Sequence, residues 1–186
     1  MIQDKPGGHK LPGTQLTVDN LKRSIGSRWI NDAIVSHMAD LINLSCKDTY
    51  PVYLNFEPDL PHLAEKIKGK FNDRLPRKVV IALNVGMEGN KTFLGDCYDQ
   101  RGNTKGSHFS FAVYFTETNV LYYGDSLGWP VPERFIHIMH NLIDNIRGDT
   151  RTTPMTICPL HSNINAQDDI DIELFRALLV FLSFPI

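Results

Sequence analysis

Hydrophobic positions along this chain change their period as the chain proceeds. Over "LTVDNLKRSIGSRWINDAIVSHMADLINL" they recur at helical spacing, with Ile34, Val35, Met38, Leu41 and Ile42 on one face and Asn31 or Asp32 as the N-cap. The period then drops to two. Short β-rich runs over 50–56 (YPVYLNF), 78–85 (KVVIALNV), 108–115 (HFSFAVYF) and 118–125 (TNVLYYGD) predict four strands. Between the first two, "PHLAEKIKGKFNDRL" reads as a short helix, and between the second and third, "GMEGNKTFLGDCYDQRGNTKG" reads as a polar, Gly-punctuated mobile loop. Helical spacing returns in "LGWPVPERFIHIMHNLIDNIRG": Pro132 marks the start, Gly148 the end, and Phe135, Ile136, Met139, Leu142, Ile143 and Ile146 one face. "PMTICPL" is a candidate fifth strand, and the last segment is an acidic loop leading into the apolar helix "ELFRALLVFL". This order predicts the α+β class with a central sheet, as one domain over residues 16–186 behind a flexible polar lead over 1–15.

Composition agrees with one domain, since 186 residues at 42% hydrophobic can bury a sizeable core. A net charge of −2, with Lys and Arg scattered among Asp and Glu, offers no basic stripe for phosphates. Nucleic acid and an anionic membrane are therefore excluded as expected partners, leaving a protein or a small molecule. The three cysteines, Cys46, Cys97 and Cys158, are odd in number and outside any CxxC, which argues against a disulfide framework and a thiolate metal site. Cys158 and His161 stand three apart with no further ligand, so no metal and no cofactor is expected. The chain shows neither a signal-like leader nor an apolar run long enough to span a bilayer, and reads as intracellular, in the nucleus or cytoplasm.

The chemistry is concentrated in "KGSHFSFAVYFTETNVLYYGDSLGWP". His108 opens one strand and Asp125 closes the next, across a hairpin centred on "TETN", so antiparallel pairing brings the two together. A carboxylate beside an imidazole fixes its tautomer and stabilises the imidazolium, leaving the other nitrogen as a general base. The pair lacks a nucleophile, and a structural His–Asp contact is the commoner use of such residues.

At these residues the sequence resembles the ubiquitin-like-protein-specific (SUMO-type) cysteine proteases, with their adenovirus-protease-like and transposon-encoded relatives. Four motifs stand in the family's order: Trp29-Ile30-Asn31-Asp32, His108-Phe109, Asp125-Ser126-Leu127 and an opening Gln167. The resemblance implies a papain-like α+β fold with a central, mostly antiparallel sheet flanked by helices. It also implies His108 as general base, Asp125 as its orienting carboxylate and Gln167 as a donor to the oxyanion. Trp29 and Asp32 match positions that meet the modifier, and Phe109 takes the place of the tryptophan that roofs a channel for a diglycine tail. The implied partner is a ubiquitin-like modifier or its conjugates.

The departure lies where a Cys-Gly is due. Six residues after Gln167 stands Glu173, and a second register puts Ile172 at the nucleophile position; neither supplies a thiol. Ile has no nucleophilic atom, and a carboxylate attacking an amide would have to form an anhydride. Loss of a triad nucleophile costs on the order of 10⁶-fold in turnover. The acidic run Asp168, Asp169, Asp171 and Glu173 is suited to a helix N-terminus, where carboxylates offset the macrodipole. The expected function is a pseudo-protease that binds a modifier. Two alternatives stand beside it: a thiol hydrolase using Cys158, and a degenerate transposon-encoded copy, with which the apolar ending "FLSFPI" is compatible as a truncation.

Overall fold

The computed structural model describes residues 32–54, 59–95, 108–125, 127–148 and 154–160. Its centre is a strand that is apolar on both sides, β2 (Lys78–Glu88), whose first nine residues are all buried. A strand covered on both faces must be apolar at successive positions, which is why "VVIAL" shows no alternation. β1 (Thr49–Leu54) pairs with β2 in parallel, Thr49 opposite Lys78 and Leu54 opposite Leu83. On the other edge of β2 lies β4 (His108–Phe115), antiparallel, with Lys78 opposite Phe115 and Val85 opposite His108. β5 (Val120–Gly124) returns from β4 through a tight turn, and β6 (Thr156–Leu160) joins β5 in parallel. The sheet order is β1-β2-β4-β5-β6. It is mixed: antiparallel in the middle, parallel at both outer pairings.

The polar excursion after β2 is not a loop throughout. β2 runs on to Glu88, turns at Gly89 with φ of 60°, and pairs antiparallel with β3 (Lys91–Leu94). Val85 is paired with both His108 and Leu94, so β3 occupies the β1 edge of β2 beyond the end of β1. Its polar composition and its glycines hid this short ribbon, while the remainder of the excursion lies outside the described residues.

Alternation along the strands sorts side chains onto two faces. Val79, Ile81, Leu83 and Val85 of β2, Ala112 and Tyr114 of β4, and Leu121 and Tyr123 of β5 form one core. Two helices cover it: α2 (Leu60–Phe71) through Ala64 and Ile67, and α3 (Glu133–Arg147) through Phe135, Ile138, Met139, Leu142, Ile143 and Ile146. α3 starts after Pro132 and ends at Gly148 in the left-handed conformation, the boundaries its sequence predicts. The opposite face carries Val80, Ala82, Phe109, Phe111, Val113 and Phe115, and packs against Val35 and Ile42 of α1 (Asp32–Ser45). Leu41, expected on that apolar face, is 48% exposed. At 3.6 residues per turn it stands about 120° from Val35, outside a stripe centred between Val35 and Ile42. Of the two expected N-caps, Asp32 is already the first helical residue, and Asn31 lies outside the described residues.

Candidate functional site

His108 opens β4, and Asp125 follows the last residue of β5. The register pairs Phe111 with Gly124, and its continuation sets Asp125 beside Ser110 with His108 two residues further along. Residues two apart share a face, so His108, Ser110, Tyr123 and Asp125 all stand on the side covered by α2 and α3. The imidazole Nε2 lies 3.3 Å from Asp125 Oδ2, with the two side chains 4% and 2% exposed.

Asp125 is the hub of this cluster. Its Oδ2 also accepts from the Ser110 hydroxyl and, at 3.4 Å, from the Tyr123 phenol. Its Oδ1 accepts the backbone N–H groups of Leu127 at 2.9 Å and Trp129 at 3.0 Å. The Gly128 N–H closes on the Asp125 carbonyl at 3.1 Å, with Gly128 at φ 70°, a conformation that costs a side-chain-bearing residue far more than glycine.

Burial by itself pushes the Asp125 carboxyl up. The contacts with His108, Ser110 and the Trp129 N–H, together with the His108 charge, outweigh burial and hold the group below the ordinary carboxylate range. Burial raises the Tyr123 phenol, and the Asp125 charge adds to that rise, so Tyr123 acts here as a neutral donor. The arrangement keeps an ionised carboxylate against the Nε2 edge of the imidazole. That is the relation in which a carboxylate orients a base working through its other nitrogen, Nδ1.

An aromatic ring stands beside the imidazole. Trp129 meets it edge to face, with ring centroids 5.2 Å apart and planes at 67°. Alternation turns the ring of Phe109 to the opposite face of β4. There it is 8% exposed and packs on Tyr53 at 6.2 Å. Its ring stands among the buried residues of that face.

The other sequence-predicted residues divide by position. Asp32 begins α1, and Trp29, Gln167, Ile172 and Glu173 lie outside the described residues. Leu160, the last residue of β6, pairs with Gly124, so the chain leaves β6 at the end of the sheet where Asp125 sits. Gln167 follows seven residues later.

Cys158 sits apart from His108. It is in register with Tyr122, itself opposite Val113, two strands across and five residues along from His108. At about 4.8 Å per strand and 3.3 Å per residue, the two Cα atoms are roughly 19 Å apart. Ile157 belongs to the core under α3, so Cys158 points to the other face. Cys46 packs on that other face too, near the Thr49 end of the sheet. Cys97 lies outside the described residues. Ser110, Tyr123 and Trp129 were not singled out by the sequence reading. For the first two the signal existed: each is two residues from a chemically active position on the same strand line. Among the described residues no group of three or more His, Cys, Asp or Glu could hold a metal, and no helix is long and apolar enough to cross a membrane.

The architecture matches solved structures. The SUMO protease Ulp1 with its catalytic cysteine oxidised to a sulfinic acid aligns over 96% of this chain and 80% of its own, at 18% identity and a TM-score of 0.66. The fold is that of Ulp1. The C-terminal Ulp1 protease domain in complex with SMT3, the yeast orthologue of SUMO, aligns over 90% of this chain and 72% of its own, at 15% identity and a TM-score of 0.61. Ulp1 with the cysteine oxidised to a sulfenic acid gives 17% identity and a TM-score of 0.59, over 95% of this chain and 79% of its own. No family model and no curated protein matches the sequence. The Ulp1-like fold is the α+β architecture read from the residues.

Proposed function

We propose that this chain is a pseudo-protease of the ubiquitin-like-protein protease type, which binds a SUMO-like modifier or its conjugates without cleaving them. The observation that carries this reading is the buried His108–Asp125 pair, at 3.3 Å, on neighbouring strand ends of an Ulp1-like fold. In such a site His108 takes the proton of a nucleophile, Asp125 stabilises the imidazolium, and Gln167 donates to the oxyanion. The sequence offers Ile172 or Glu173 where the nucleophile is due, so proton transfer has no thiol to act on. What is left to such a site is recognition, with Trp29 and Asp32 as the contact residues and Phe109 supporting β4 from the core. On this reading the protein works inside the cell, in the nucleus or cytoplasm.

Two measurements test this. Binding to immobilised SUMO is expected, and Asp32→Arg is expected to weaken it at least tenfold. Ile172→Cys or Glu173→Cys is expected to gain labelling by a modifier vinyl-sulfone probe, and to lose it again when combined with His108→Ala. Absence of binding to every modifier tried, with no labelling of either cysteine variant in a folded protein, overturns the reading. A hydrolase using Cys158 has the strand register against it. Probe labelling of the unaltered chain that disappears in Cys158→Ala would establish it instead.

A further inference from the structure

Only Cys46, Lys47 and Asp48 separate the end of α1 from the start of β1, and one side chain reaches both sides of that joint. Lys70, in the last turn of α2, donates through Nζ to Asn43 Oδ1 on α1 at 2.6 Å and to the carbonyl of Thr49, the first residue of β1, at 3.3 Å. The same ammonium stands 5.4 Å from the ring centroid of Tyr50 and 5.2 Å from that of Phe71, and the two rings meet edge to face at 6.3 Å. A lysine in the last turn of a helix ordinarily serves that helix's own carbonyls. Here the charge is directed to another helix and to a strand.

Burial alone packs α1 incompletely. Val35 and Ile42 are buried, yet an apolar cleft of about 420 Å³, counted with its open mouth, lies along the same face of the helix. Val35, Met38, Ala39 and Ile42 line it from α1, and Val80 and Phe111 from the sheet. Side chains that face empty space lose the dispersion contacts a filled interface supplies. A helix of 14 residues has little stability of its own in water, so α1 depends on what ties it down.

We infer that Lys70 is a charge latch across the α1–β1 joint: its ammonium clamps the C-terminal turn of α1 over the apolar cleft, and acylation of Nζ releases the helix. Lys70 is exposed, so an acyl thioester can reach Nζ. In that step the nitrogen bonds to the acyl carbon and the C–S bond breaks. The ammonium gives up two protons, one to the leaving thiolate and one to solvent. Nζ then carries one N–H in place of three and no charge. It cannot serve Asn43 and Thr49 together, and its attraction to the two rings is lost. The latch shares no residue with the His108–Asp125 cluster and stands whatever that pair does.

Hydrogen exchange in the full chain reads the latch, because a released α1 frays. The protein with a genetically encoded acetyl group on Lys70 Nζ, and Lys70→Gln, are expected to exchange the α1 amides of residues 37–44 about three- to thirtyfold faster than the unaltered protein. That range is the worth of a charged hydrogen bond and a cation–π contact at an accessible site. The α3 amides of residues 137–147 are expected to keep their rates, and Lys70→Arg, which retains charge and donors, to keep most of the protection of α1. Unchanged α1 exchange in both neutral forms makes Lys70 an ordinary surface lysine and overturns the inference. Equal acceleration in Lys70→Arg also overturns it, since charge is then not what holds the helix. So does acceleration of the α3 amides by the same factor, since the loss is then one of the whole fold.

Discussion

Replacing Asp125 by Asn changes one atom's chemistry at the centre of the site, and its consequences can be followed bond by bond. If the Asn oxygen takes the Oδ1 place, it still accepts from the Leu127 and Trp129 N–H groups, but as a neutral acceptor. The amide nitrogen then faces three groups that had been donating to Oδ2: the Ser110 hydroxyl, the Tyr123 phenol and His108 Nε2. The hydroxyls can rotate and accept. The imidazole must change tautomer, moving its proton to Nδ1 so that Nε2 accepts from the Asn. Bonds to a charged group contribute about 1.5–3 kcal/mol each against about 1 for neutral ones, and relief from burying a carboxylate offsets part of that loss. The net expectation is destabilisation of about 2 kcal/mol at neutral pH. With a urea slope of about 2 kcal/mol per molar, the unfolding midpoint falls by about 1 M. The pH dependence has a definite sign. Because the folded carboxyl lies below its ordinary range, the stabilisation is complete above the unfolded pKa of about 3.9 and is lost as pH falls through the lower folded value. The midpoints of the two proteins should therefore converge in acid. Equal midpoints at pH 7, or a gap that persists unchanged to pH 2, would refute the account of Asp125 as an ionised hub.

Other expectations follow from single contacts. Asn119 turns the β4–β5 hairpin at φ 55°, accepts the Tyr114 phenol at 2.7 Å and donates to the Pro154 carbonyl at 3.2 Å; Asn119→Ala should cost about 2 kcal/mol in urea unfolding. Phe135, fully buried on the inner face of α3, should cost about 3–5 kcal/mol on truncation to Ala, seen as a large fall in the same midpoint. Leu44, 82% exposed on α1, should tolerate Lys within about 0.5 kcal/mol by thermal melting.

The sequence disclosed the elements that repeat a period long enough to count. α3 alternates apolar and polar positions over four turns between a proline and a glycine, and its boundaries are read directly from those signals. The strands were visible for the same reason, as was the meeting of His108 and Asp125, because a four-residue turn fixes the register that joins them. β3 was hidden because four residues with two polar ones carry no countable period; it forms because β2 offers it an open edge. Trp129 was hidden for a different reason. Its place beside His108 is set by the hydrogen bond from its own backbone N–H to Asp125, and such a bond leaves no mark on residue type. The face of Phe109 was legible from alternation alone, since a neighbour of His108 on a strand must point away from it.

Five donors converge on one carboxylate, and this bears on what a catalytic-looking pair can testify to. A side chain that satisfies two backbone groups, two hydroxyls and an imidazole is part of the scaffold, and removing it leaves the closing loop of the hairpin without its anchor. Folding alone is then sufficient reason for an acid at position 125, whatever chemistry the site carries. A buried carboxylate beside an imidazole testifies first to how its own loop is held.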